Sequence, residues 1–129
     1  MAYAIDMEKA AYRHYEDGYA MLQNRRPDNA GYHFGLSTEC VIKHVLLDNY
    51  RIKKSDAPWM AHFPDLRHAA ELFLSNRAQA ARLRTIIEDQ NLMQGWHVKM
   101  RYARNSSVSP AQAKKWQEQA KNTLGLLIA

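Results

Sequence analysis

At 129 residues the chain can build one hydrophobic core but not two ordinary domains, so residues 1–129 are read as a single unit. Hydrophobic residues make up 47% and charged residues 24%, and only five glycines and four prolines are present, which excludes a disordered chain and disfavours an all-β fold built on many turns. The net charge of +5 arises entirely after Gly95: 12 Lys+Arg balance 12 Asp+Glu through Gly95, whereas 6 face 1 from Trp96 onward.

The N-terminal stretch Met1–Lys9 carries Asp6 and Glu8 and no apolar run, so no secretory signal is expected and a cytoplasmic location is. A first helix is predicted from Met7 to Asn24, with Ala11, Tyr15, Gly18, Tyr19 and Leu22 near one face at three-and-four spacing. Arg25-Arg26-Pro27 ends it, because proline cannot continue the hydrogen-bond ladder, and Asp28 or Asn29 is expected to cap the next helix. That second helix, Asn29 to Asn49, carries Phe34, Leu36, Val41, Ile42, Val45, Leu46 and Leu47 around more than half its circumference and should be the central element. Within it, Glu39 and Lys43 stand four apart in the order that favours an ion pair along a helix.

Arg51 to Pro64 is basic, holds Pro58 and Pro64, and is predicted to be the longest irregular connection, with Trp59, Met60 and Phe63 as exposed apolar groups that a second copy could cover. A third helix is predicted from Asp65, as its cap, to Leu74, and Asn76 with Gln79 signals a restart running from Arg77 to Asp89. Asn91 to Ser107 has no clean period. It gathers Trp96, His97, Lys99, Arg101, Tyr102 and Arg104 within nine residues. Ser109-Pro110-Ala111-Gln112 then carries the strongest start signal in the chain, opening a last helix from Pro110 to about Leu127. These elements predict an all-α fold, an up-and-down antiparallel bundle of four to five helices.

No run reaches the ~18 apolar residues of a membrane span. The single cysteine, Cys40, is placed in an apolar helical stretch and read as a buried hydrophobe. The six histidines form no His-x-x-x-His pair and no Glu-x-x-His pair occurs, so neither a metal site nor another cofactor is expected. Gly-rich phosphate loops and the Gly-x-Ser-x-Gly elbow are missing too. What remains is the Trp96–Arg104 cluster. Arg101 could grip phosphate while Trp96 and Tyr102 stack on a base; in the opposite reading both rings plug the bundle end and Arg101 pairs with a carboxylate such as Glu39.

The chain resembles HEPN-domain proteins in four places: Tyr12 to Asp17, the segment from Ala30 through Glu39-Cys40 to Lys43, the joint His62-Phe63-Pro64-Asp65-Leu66, and Trp96 to Tyr102. The resemblance implies a helical bundle, frequently dimeric, that binds or acts on RNA or nucleotides. Such proteins often belong to toxin–antitoxin or phage-defence systems, sometimes beside a nucleotidyltransferase partner. The family's nuclease branch uses an arginine and a histidine with four to six residues between them in the last helix. No histidine follows Arg101 or Arg104 here, and the one gap of that length, Arg26 to His33, has Pro27 in it and lies at the first turn. The resemblance therefore implies binding without efficient catalysis, through Lys43, Arg101, Tyr102, Trp96, Lys99 and Arg104, with Glu39 and His33 in support. Two alternatives stand beside it: a metal-independent ribonuclease toxin using His62 or His97 as base, and a homodimeric adaptor with no nucleic-acid role.

Overall fold

The first helix begins where a carboxylate can satisfy its free amides. Asp6 Oδ1 accepts from the Lys9 N–H at 3.0 Å, and α1 runs Met7–Gln23. In this computed structural model, which describes residues 2–77 and 80–128, the chain then turns through Arg25, held at φ +61°, into α2, Pro27–Tyr50. Pro27 supplies the first helical residue with its preset φ, so Arg26 takes the cap position without a side-chain bond. The expected cap, Asp28, is used elsewhere: its Oδ2 and Oδ1 accept from the Ser106 and Val108 amides, each at 2.7 Å.

The other regular elements are helical as well, with no strand among the described residues. The predicted irregular stretch after α2 contains a one-turn helix, α3 (Ala57–Met60), followed by α4 (Asp65–Leu74). Pro64, not Asp65, occupies the cap position of α4. The restart predicted at Asn76 depends on Gln79, which lies outside the described residues; α5 is described over Ala81–Ile87. Arg84 and Arg67 tie the two short helices together, Arg84 donating to the Leu74 carbonyl and Arg67 Nη1 to the Ile87 carbonyl at 3.0 Å. A 3-10 turn, Val98–Tyr102, leads to α6, Pro110–Leu124, capped as predicted by Ser109 Oγ accepting from the Gln112 amide at 3.0 Å.

The long helices α1, α2 and α6 pack together as the body of an all-α bundle. α1 and α2 form the antiparallel hairpin, stitched by Ser37 Oγ donating to the Ala11 carbonyl at 2.7 Å and by Tyr15 against Phe34. α6 runs in the sense of α2: Trp116 and Val108 lie beside Gly31, while Leu126 lies by Val45 and Tyr50. Two close approaches depend on missing side chains. A Cβ on Gly35 would sit 2.0 Å from Trp96 Nε1, and one on Gly31 2.8 Å from the Trp116 ring. Phe63, expected at the surface, is buried, its ring T-shaped to that of Trp96, which occupies the space between α2 and the joint before α4. Met60 remains exposed, and Trp59 is half-buried under Lys54. No helix among the described residues is long and apolar enough to cross a membrane.

Candidate functional site

Tyr32, Glu39 and Lys43 recur at helical spacing along α2, so the most buried helix carries a polar stripe. Burial forces each group on it to find an internal partner. Lys43 Nζ donates to Glu39 Oε2 at 3.0 Å, and both side chains are under one-tenth exposed, at 5% and 8%. Lys43 therefore does not meet a ligand, contrary to the expectation from sequence; its charge is neutralised inside the fold. The other carboxylate oxygen, Glu39 Oε1, lies 2.8 Å from His62 Nδ1. Next to an ionised carboxylate Nδ1 is the protonated nitrogen, which leaves Nε2 of a neutral ring as the basic atom. His62 is 48% exposed, so solvent reaches this oriented imidazole.

Trp96 is also inside. It is 1% exposed, its Nε1 donates to the Gly31 carbonyl at 3.1 Å, and the Tyr32 ring stacks on it at 5.6 Å and 7°. Its faces are thus unavailable to a base, and its part is to hold Tyr32 in place. Tyr32 in turn carries the structure outward: its hydroxyl accepts from Arg101 Nη1 at 3.4 Å. The Arg101 guanidinium sits 5.3 Å from the centre of the Tyr102 ring, and Tyr102 is 80% exposed. Lys99 and Arg104 are exposed on either side. Arg101 pairs with Tyr32 and not with Glu39, so only the outer half of the predicted contact set is open to water.

The histidines divide in the same way. His97 Nδ1 accepts from the Lys99 amide at 3.1 Å, capping the 3-10 turn; a neutral ring in that role carries its proton on Nε2 and has no free lone pair to act as base. His33 lies within the α1–α2 hairpin, its Nδ1 2.9 Å from His14 Nδ1 and the two rings stacked at 5.1 Å. One Nδ1 must hold the hydrogen and the other a lone pair. Burial keeps both rings below the usual histidine pKa; the partner ring and Arg13 lower His14 further, whereas Asp17 opposes at both. This pair was not singled out in the sequence. The signal was there, since a predicted antiparallel hairpin sets which residues of its arms oppose one another.

Cys40 is buried and its thiol is pushed up to about 12, first by burial and then by Glu39, which removes it as a nucleophile. Among the described residues no three His, Cys, Asp or Glu side chains converge as metal ligands. The chain thus presents an exposed cation–aromatic surface at the 3-10 turn and a buried Glu39–Lys43 pair that orients His62 at the bundle surface. No family model, curated protein sequence or solved structure matches this chain.

Proposed function

We propose that this is a HEPN-like protein that binds single-stranded RNA or a nucleotide through the surface of its 3-10 turn. The observation that carries the reading is the Arg101 guanidinium beside the 80%-exposed Tyr102 ring. A base stacks on such a ring without sequence preference, and a neighbouring guanidinium holds the phosphate. Lys99 and Arg104 extend the positive surface, and no acid occurs between Asp89 and Glu118 to oppose it. In this reading the protein works in the cytoplasm as a homodimer, within a toxin–antitoxin or phage-defence system and beside a partner such as a nucleotidyltransferase. The 68%-exposed Met60 and 69%-exposed Leu72 are apolar groups for a second chain to cover, and sedimentation of the pure protein tests the dimer.

Filter binding of single-stranded RNA across a salt series tests the RNA contact. Tyr102→Ala should weaken binding by about 1–3 kcal/mol, and Arg101→Ala should reduce the salt slope by about one. Unchanged affinity in the double variant would overturn the reading. His62, oriented by Glu39 at 2.8 Å, supports a second reading as a metal-independent ribonuclease. There Nε2 takes the proton of a ribose 2′-hydroxyl, its oxygen attacks the adjacent phosphorus, and the 5′-oxygen leaves. The same RNA, incubated with chelator, should then shorten with the parent and stay intact with His62→Ala; intact RNA with the parent removes this second reading.

A further inference from the structure

The α1–α2 turn and the segment entering α6 enclose a cleft of about 700 Å3, within the size range of small-molecule sites. Arg25 and Arg26 line one wall, and Asn29, Asn105, Ser106 and Ser109 supply hydroxyl and amide groups around it. The one carboxylate in the lining, Asp28, has both oxygens committed to the Ser106 and Val108 amides at 2.7 Å. Neither Arg25 nor Arg26 forms an ion pair among the described residues. The cleft is therefore positive. It is also held in shape, because those amide bonds lock one wall and the arginine backbone is hydrogen-bonded on the other, Arg25 N–H to Leu22 O at 3.1 Å and Arg26 N–H to Met21 O at 2.8 Å.

We infer that this cleft binds a phosphate monoester of nucleotide size through Arg25 and Arg26. Adjacent guanidiniums present several donors to the phosphate oxygens, and a dianionic monoester uses more of them than a diester within a strand. The neutral polar groups offer partners for ribose hydroxyls. Asn105 and Ser106 follow Arg104 directly, so the ligand is either a free mononucleotide or the phosphorylated end of a strand lying along the 3-10 turn. The inference does not rest on the Arg101–Tyr102 surface, which contributes nothing to the lining.

Calorimetry of the full chain with adenosine 5′-monophosphate, adenosine, and a short oligoadenylate with and without a 5′-phosphate tests it. Arg25→Gly with Arg26→Gln is the variant of choice, since glycine accepts the left-handed backbone at position 25 and the fold should survive, checked by an unchanged urea midpoint. The monophosphate should bind where adenosine does not, and the variant should weaken it roughly tenfold or more. Tighter binding of the 5′-phosphorylated oligomer than of the monophosphate identifies a strand end; the reverse order identifies a free nucleotide. In the Arg101→Ala/Tyr102→Ala background the cleft should still bind the monophosphate, and adding Arg25→Gly with Arg26→Gln should remove that remaining binding, which separates this site from the proposed RNA surface. Equal binding of adenosine and its monophosphate, or equal binding by parent and Arg25→Gly/Arg26→Gln, would overturn the inference.

Discussion

Glu39→Gln removes one negative charge from the interior and leaves the shape almost untouched. The Lys43 ammonium, 5% exposed and bonded to Glu39 Oε2 at 3.0 Å, then becomes a buried cation facing a neutral amide. Breaking such a pair from one side costs about 3–5 kcal/mol; the amide oxygen still accepts a hydrogen bond, so the lower end, about 3 kcal/mol, is expected. With a urea slope of about 2 kcal/mol per molar for a chain of this size, the midpoint should fall by roughly 1.5 M. Glu39→Gln with Lys43→Met removes both charges and should recover most of that loss, to within about 1 kcal/mol of the parent, because an amide and a thioether cost far less to bury than an unpaired ammonium. Urea denaturation of parent, both single variants and the double variant gives the coupling directly. The reasoning fails if Glu39→Gln lies within about 1 kcal/mol of the parent, or if the double variant is less stable than either single one. RNA affinity of the double variant should equal that of the parent, since Lys43 does not reach the surface.

Gly35→Ala should destabilise the fold by about 2 kcal/mol, the clash with a Trp96 ring that cannot move away outweighing the ~1 kcal/mol gain in helix propensity; thermal unfolding at or above the parent value would contradict this. The His14–His33 pair, held below the usual histidine value mainly by burial, binds protons less readily folded than unfolded, so its stabilising effect is complete above about pH 6.5 and is lost as the pH falls through the lowered folded values. The urea midpoint should therefore drop between about pH 7 and 5 and drop less in His14→Gln/His33→Gln; identical pH profiles for the two proteins would count against the pair.

Local chemistry was the most readable part of the sequence. The Ser109-Pro110-Gln112 start and the span of α1 follow from residues within one helical turn of each other, and both are found as expected. Asp28 shows where such reading stops. Its position after Pro27 suits a cap, yet its partners Ser106 and Val108 are 78 and 80 residues away, and two amides with no other partner outcompete a helix start that proline has already fixed. Trp96 is a similar case. Beside Arg101 and Tyr102 it reads as part of one aromatic surface, and only the empty Cβ position of Gly35, on a helix 61 residues earlier, makes room for its ring inside.

The same difference explains why Lys43 and Arg101 do not share a ligand. α2 packs against both α1 and α6, so a charge on its inner faces can persist only if another charge on the protein cancels it. Glu39, one turn before Lys43, does so, and its second oxygen then reaches His62. The 3-10 turn rests mainly against α2, and its cations lie in water, where no internal partner is required. Availability for binding therefore follows depth in the bundle and not residue type, and depth is set by which neighbouring helices cover a face. For Lys43 the deciding neighbour is its own helix's Glu39, legible at four-residue spacing; for His62, His14 and Arg25, whose placements arise only when the helices assemble, the sequence supplied the side chains and the packing supplied their roles.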